Sequence, residues 1–151
     1  MNREDIVALF SRREEAWGRH DAVALAEDHA DTSVVDSPLQ GKLEGRKRIA
    51  AGYDYWFRSF PDLTFVIRDL VIDGDRIAQF FSIRGTQSAP FGGVPATGRR
   101  IDFNGVSLFT LGPEGLFVRE QRVFDVSGVL LQLGMLKMKD AGEAPAAMSA
   151  H

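Results

Sequence analysis

The stretch that decides the fold lies near the C-terminal end and reads GLFVREQRVFDVSG (115–128), followed by VLLQLGMLKM (129–138). Its first half interleaves β-branched and aromatic residues with polar ones, which is typical of a strand with two different faces. Its second half places apolar residues at helical spacing. The stretch therefore predicts a last strand that ends in a short helix, and Asp125 stands where the period changes.

Asp125 has two interpretations. Its neighbours include Phe124 and Val126, and an ionised carboxylate is unfavourable among apolar groups unless something compensates it, so Asp125 is the first candidate for chemistry. An Asp just before a helix is also a common N-cap that accepts hydrogen bonds from free backbone N–H groups, a role that Ser127 could share. The pattern leaves both interpretations open.

The chain before this stretch predicts helices first and long strands afterwards. Asn2 with Asp5 indicates the start of a first helix that ends near Gly18, and Asp21 starts a second helix that ends at His29. The later elements are a short strand at 33–36, a helix at 46–60 with an aromatic face, and four strands at 63–72, 76–85, 99–111 and 116–125.

The links between the strands predict their pairing. Asp73-Gly74-Asp75 and the run 112–115 are tight turns, so the strands that they join are expected to be antiparallel. The loop 86–98 is longer than a hairpin needs, and it either borders a binding site or is merely solvated. These elements predict an α+β fold in which a curved antiparallel sheet carries the helices on its concave face. Residues 1–140 form one domain, and 141–151 a mobile tail.

Composition excludes several classes of protein. A chain of 151 residues with 44% hydrophobic and 26% charged residues is ordinary for one soluble domain. The net charge of −3, without a basic stripe, argues against a nucleic-acid partner. No long apolar run or leader is visible, so we expect no membrane contact and a cytoplasmic location.

Metal binding is also not predicted. The chain has no Cys, and its three histidines, His20, His29 and His151, lack the spacing of metal ligands. Each histidine is expected at the surface or at a cap.

Five segments in order resemble the SnoaL-like polyketide cyclases and ester cyclases of the nuclear-transport-factor-2-like superfamily. They are FPDL (60–63), DGDR (73–76), GTQ (85–87), FGGVPATGR (91–99), and Asp125 with LLQLG (130–134). The resemblance implies a cone-shaped α+β barrel that dimerises through the outer face of its sheet. It further implies that an Asp matching Asp125 is the acid/base group of an intramolecular aldol ring closure, without metal or organic cofactor.

Two positions depart from that family. Many ester-cyclase relatives have His where this chain has Gln87, and again where Asp36 aligns at the end of the first strand. Gln87 cannot exchange a proton, although its amide can donate to an oxyanion. Asp36 is either a second carboxylate facing Asp125 or the cap of the turn that follows it.

The candidate site therefore combines one catalytic residue, Asp125, with a set that would surround an apolar substrate. On the strand 76–85 we expect the face that carries Gln79 to be inward, because Gln87 lies on it. Arg122 is a weaker candidate because it could lie on a solvent face. The substrate-binding set is Asp36, Tyr53, Trp56, Gln79, Phe81, Gln87 and Asn104.

Three functions fit these residues. The first is a cofactor-independent cyclase acting on a largely apolar carbonyl compound. The second is a protein of the same fold that binds an apolar small molecule without reacting it. The third is epoxide hydrolysis, which relatives of this fold perform with two Asp and one Arg around a water molecule. Asp36, Asp125 and Arg84 are the right residue types, although Arg84 falls on the face expected to be external.

Overall fold

Three helices and two strands come first along the chain, and four further strands and a short helix follow. The computed structural model describes residues 1–139, so the predicted tail at 141–151 lies outside the described residues. The helices are α1 (Arg3–Gly18), α2 (Ala22–Glu27), α3 (Arg46–Ser59) and α4 (Val126–Gln132). The strands are β1 (His29–Ser37), β2 (Gly41–Glu44), β3 (Thr64–Asp73), β4 (Arg76–Thr86), β5 (Arg100–Leu111) and β6 (Phe117–Phe124).

The strands form one six-stranded sheet in the order β2-β1-β6-β5-β4-β3. Strands β3 to β6 form the predicted antiparallel meander, joined at Gly74 and at the turn after Leu111. The prediction of a wholly antiparallel sheet is wrong, because β1 pairs with β6 in parallel. The chain leaves β1 and returns through α3 and three strands, and such a long connection allows a parallel neighbour. The α+β class is confirmed, with an open, mixed sheet.

The first helix begins where the sequence predicts. The Asn2 side chain accepts a hydrogen bond from the Asp5 N–H at 2.8 Å, and the Asp5 carboxylate accepts one from the Asn2 N–H at 3.1 Å. This reciprocal capping satisfies two backbone donors that the helix itself leaves free. The apolar stripe of α1 packs on the sheet, and Trp17 stacks on Phe65 of β3 with 4.2 Å between ring centroids. Helix α1 therefore covers the sheet at its β3 side.

Helix α3 covers the same face with its aromatic stripe. Tyr53, Trp56 and Phe57 are all buried. The ring centroid of Trp56 lies 4.4 Å from that of Phe91, which belongs to the loop between β4 and β5. That loop contributes Phe91 and Val94 to the core, so it is packed rather than merely solvated.

Alternation along the central strands separates the two faces of the sheet. On β4, Gln79, Phe81 and Ile83 are buried under the helices, whereas Phe80 and Arg84 are exposed. The predicted inward face of this strand is confirmed. A cavity can form only on this face, between the sheet and the helices. None of the helices within residues 1–139 has the length and apolar character required to span a lipid bilayer.

Candidate functional site

A narrow cavity lies between the helices α1 and α3 and the inward face of β4, β5 and β6. Aromatic rings form most of its wall, including Trp56, Phe65, Phe81, Phe103 and Phe124. Six polar or charged side chains complete it: Arg13, Tyr53, Gln79, Ser107, Glu120 and Arg122. The free volume of about 20 Å³ is enough for one or two water molecules. A larger ligand therefore requires wall side chains to move.

The register of the sheet places three of the polar residues in one row. Gln79 lies opposite Ser107 on the neighbouring strand, and Ser107 lies opposite Arg122 on the next. Directly opposite residues of an antiparallel pair point to the same face, so the three side chains enter the cavity side by side. The row on one side of them is Phe81, Gly105 and Phe124. A Cβ at Gly105 would lie 2.5 Å from the Phe81 ring, so glycine is needed there for the ring to lie flat against the sheet.

Glu120 and Arg122 form an ion pair in this wall. Arg122 Nε donates to Glu120 Oε2 at 2.8 Å, and the two side chains are 8% and 3% exposed. Burial acts to raise the pKa of the Glu120 carboxyl, but the adjacent guanidinium outweighs it and lowers that pKa, so Glu120 is ionised at neutral pH. The Arg122 guanidinium also lies 5.1 Å from the centroid of the Tyr53 ring, which favours the cation.

Behind this pair, Arg13, Tyr53 and His29 form a buried hydrogen-bonded chain. Arg13 Nη2 donates to the Tyr53 hydroxyl at 2.9 Å, Arg13 Nη1 donates to Asp28 at 2.9 Å, and the Tyr53 hydroxyl is 3.0 Å from His29 Nε2. Burial raises the pKa of Tyr53, so the phenol keeps its proton. With the His29 proton on Nδ1, the Tyr53 hydroxyl accepts from Arg13 and donates to His29.

His29 is neutral despite a nearby carboxylate. Its ring is fully buried, and burial, with Arg13, Arg122 and Arg46 acting in the same direction, lowers its pKa to about 3. Glu120 acts in the opposite direction but does not offset burial. The 3.8 Å approach of His29 Nε2 to Glu120 is therefore a contact between a neutral ring and a carboxylate. The cation that forms an ion pair with Glu120 in the cavity wall is Arg122.

Comparison with known proteins assigns the chain to a family. The family model for SnoaL-like polyketide cyclases matches residues 8–133. The chain belongs to the SnoaL-like polyketide cyclase family. No curated protein matches it significantly.

Three of the solved structures of similar fold are from Streptomyces species. TsrD of Streptomyces laurentii is 26% identical with a TM-score of 0.80, over 90% of this chain and 99% of TsrD. IdmH of Streptomyces antibioticus, a candidate polyketide cyclase, is 27% identical with a TM-score of 0.64, over 80% of this chain and 91% of IdmH. AclR of Streptomyces galilaeus, a candidate hydroxylase, is 22% identical with a TM-score of 0.77, over 90% of this chain and all of AclR; at that identity it supports the fold alone.

Half of the predicted site residues lie in the cavity of this SnoaL-like chain. Tyr53, Trp56, Gln79 and Phe81 line it. They were predicted from the helical stripe of α3 and the alternation of β4, which are the strongest periodic signals in the sequence.

Asp125 lies outside the cavity. Its carboxylate is exposed, and Oδ1 accepts a hydrogen bond from the Gly128 N–H at 3.0 Å as the N-cap of α4. The expectation of an apolar surrounding is wrong because Glu120, Arg122 and Phe124 face the cavity, and strand alternation then turns Asp125 outward. The capping interpretation is the one that the structure supports.

Asp36, Gln87 and Asn104 also lie elsewhere. Asp36 accepts a hydrogen bond from Arg119 at 2.7 Å in a partly exposed ion pair. Gln87 is buried, and its amide joins two parts of the loop between β4 and β5, since it donates to the Val94 carbonyl at 3.0 Å and accepts from the Thr97 hydroxyl at 2.6 Å. Asn104 is exposed and accepts from Ser82 at 2.6 Å on the outer face. None of the three is among the residues that line the cavity.

The three residues proposed for epoxide hydrolysis do not come together. Arg84 pairs with Asp102 at 3.2 Å, with both side chains more than half exposed. Asp36 pairs with Arg119, and Asp125 caps α4. Each has its own partner in a different part of the surface.

Sequence reasoning missed Glu120, Arg13, Ser107 and His29, and ranked Arg122 too low. Arg13 carried a signal, because it falls on the apolar stripe of α1 between Phe10 and Trp17, where a charged residue needs buried partners. His29, expected at the surface or at a cap, is fully buried. No local signal marked Glu120 and Ser107, whose burial depends on strand pairing.

Proposed function

We propose that this SnoaL-like chain is an acid/base enzyme that removes and returns a proton on a largely apolar carbonyl compound, as in ring closure by an intramolecular aldol reaction. One observation carries the proposal: a buried carboxylate–guanidinium pair, Glu120 with Arg122, forms part of the wall of an otherwise aromatic cavity. In this proposal Glu120 has the catalytic role that the sequence pattern suggested for Asp125.

The two members of the pair have separate roles. The Glu120 carboxylate takes a proton from the carbon next to a carbonyl group; the electron pair of that C–H bond forms the C=C bond of the enolate, and the π pair of the carbonyl moves to its oxygen. Arg122 donates a hydrogen bond to the enolate oxygen. The enolate carbon then forms a C–C bond with a second carbonyl carbon of the same molecule, and the new alkoxide takes the proton back from Glu120.

The lowered pKa of Glu120 is unfavourable for a general base, and the position of Arg122 compensates for it. Arg122 makes Glu120 a weak base in the free protein. During proton removal the negative charge moves from Glu120 to the enolate oxygen beside the same guanidinium, so Arg122 keeps an anionic partner throughout. The buried site does not have to create or lose a charge, which would be costly at low dielectric.

The aromatic wall supports an apolar substrate. Rings of Trp56, Phe103 and Phe124 lie within about 6 Å of one another. Such a surface favours apolar ligands, because it offers few hydrogen-bonding groups to polar ones.

The experiment is deuterium exchange at the activated carbon of 2-tetralone in D2O, followed by proton NMR. We expect the native protein to accelerate the exchange and Glu120→Gln to lose about 10²-fold or more of that acceleration, as for loss of a general base. Asp125→Asn is the matched control, since an Asn cap keeps α4 and the change lies outside the cavity; its rate should stay within about twofold of the native one.

Glu120→Gln leaves a buried guanidinium without its partner, so its folding is checked by circular dichroism. The double variant Glu120→Gln/Arg122→Met removes the whole pair and should be equally inactive. Native rates in a folded Glu120→Gln protein would refute the acid/base role of Glu120.

A second candidate function is binding of a small apolar molecule without reaction. The observation that favours it is the free volume of about 20 Å³, which leaves little room for a substrate to change shape. Native mass spectrometry after incubation with 2-tetralone separates the two functions: a bound ketone without deuterium exchange supports binding alone.

We also propose that the chain forms a homodimer through the outer face of its sheet. Phe80, Val106 and Val123 lie in one row across β4, β5 and β6, and Phe80 and Val123 are 40% and 66% exposed. Exposed apolar side chains in a contiguous row are typical of an interface.

A further inference from the structure

Three buried polar atoms around the cavity have no hydrogen-bond partner in the protein. They are Arg13 Nε, Trp17 Nε1 and Gln79 Oε1, and within residues 1–139 no other buried side-chain nitrogen or oxygen atom lacks one. The three residues are 1%, 6% and 3% exposed, and all of them line the same cavity. Buried polar atoms nearly always have a hydrogen-bond partner, so three such atoms without one in the same cavity indicate that a further group binds there.

The fold brings the three residues to one region. Arg13 and Trp17 are four residues apart on α1 and therefore lie on the same side of the helix. Trp17 rests on Phe65 of β3, the neighbour of β4, and the Arg13 guanidinium lies 5.5 Å from the ring of Phe109 on β5. Gln79 lies on β4 between these two strands, and its side chain lines the same narrow cavity as those of Arg13 and Trp17.

The chemistry of the three atoms selects their partner. Arg13 Nε and Trp17 Nε1 each carry one hydrogen to donate, and Gln79 Oε1 accepts. The oxygen of a hydroxyl group, like that of the water molecule it would displace, accepts two hydrogen bonds and donates to an acceptor, which matches this set. A carbonyl or ether oxygen has nothing to donate to Gln79, and an ammonium group cannot accept. The free volume of about 20 Å³ suits a single oxygen atom.

We propose that Arg13 Nε, Trp17 Nε1 and Gln79 Oε1 form a subsite for the hydroxyl group of an otherwise apolar ligand. Resting on the proposed function, this assigns to the substrate an alcohol or phenol hydroxyl besides its reacting carbonyl group. The hydroxyl would fix which carbon of the substrate faces Glu120.

The test compares 2-naphthol with 2-methylnaphthalene, which differ only in a hydroxyl against a methyl group. The chain has two Trp residues, and the Trp56 indole N–H already donates to Gln40 at 3.1 Å. In ¹⁵N-labelled protein we expect 2-naphthol, but not 2-methylnaphthalene, to shift the Trp17 indole N–H proton downfield; Trp17→Phe assigns that resonance. By calorimetry 2-naphthol should bind about tenfold more tightly or better, as a site with buried polar groups requires.

Variants identify the atoms responsible. Gln79→Leu should reduce the preference for 2-naphthol to about threefold or less, since the acceptor is gone. Ile83→Val, which changes the same cavity wall without touching a polar atom, should leave the preference unchanged. Equal affinity for the two probes in the native protein, or binding of neither, would overturn the subsite. Neither probe has a carbonyl group, so this outcome is independent of the exchange assay on Glu120.

Discussion

His29 shows at the residue scale how burial decides the charge of a side chain. Its pKa falls from 6.5 to about 3 on folding, so the unfolded chain takes up a proton between these values that the folded protein does not. Stability is therefore full above pH 6.5 and decreases as the pH falls below it. Glu120 contributes little above pH 5, where its carboxylate is ionised in both states; because folding lowers its pKa from the ordinary value of 4.5, it adds to the loss of stability only at lower pH.

We expect the free energy of unfolding to fall by about 2 kcal/mol between pH 7.5 and pH 5 through His29 alone. Urea denaturation across this pH range measures it. His29→Gln removes the titrating group, and its stability should depend much less on pH over the same interval. Parallel pH profiles for the two proteins would mean that His29 is not the group responsible.

At the scale of the element, Asp125 belongs to the start of α4. A Cβ at Gly128 would lie 2.6 Å from Asp125 Oδ2, so the cap and its glycine fit each other closely. Gln132 holds helix α4 to β5. Its side-chain oxygen accepts a hydrogen bond from the Asp102 N–H, and its side-chain nitrogen donates one to the Asp102 carbonyl, both at 2.8 Å. The carboxylate thus has a structural role at the point where the sheet passes into the helix.

Asp125→Ala should lower the free energy of unfolding by about 1 kcal/mol, the usual effect of removing an N-cap. Asp125→Asn should change it much less, because the Asn side chain also accepts from the backbone. Chemical denaturation measures both. A large loss of exchange activity in a folded Asp125→Asn protein would return Asp125 to the catalytic role that its sequence position suggests.

The whole molecule presents two faces of one sheet, with the cavity on one and an exposed apolar row on the other. For the proposed homodimer we expect Val123→Arg to shift the protein towards monomer in sedimentation velocity at micromolar concentration, because a buried unpaired charge is unfavourable at an interface. Val7→Arg, at an exposed position on α1, is the control and should leave the oligomeric state unchanged. A native protein that sediments as a monomer would contradict the dimer itself.

The sequence by itself determined most of the helices and strands and four residues of the cavity wall. Helical stripes in α1 and α3, alternation in β4 and the turns at Gly74 and 112–115 are local patterns, because side-chain direction follows from backbone period. These patterns were enough to predict that Tyr53, Trp56, Gln79 and Phe81 point inward, and the four side chains line the cavity.

Only the tertiary structure decided which carboxylate enters the cavity. The pairing of β5 and β6 slips at Leu111, so that Phe117 and Glu120 are buried on the same face although they are an odd number of residues apart. A bulge of this kind exchanges the two faces of a strand, and no local pattern marks it. The same slip that turns Glu120 inward beside Arg122 turns Asp125 outward to cap α4.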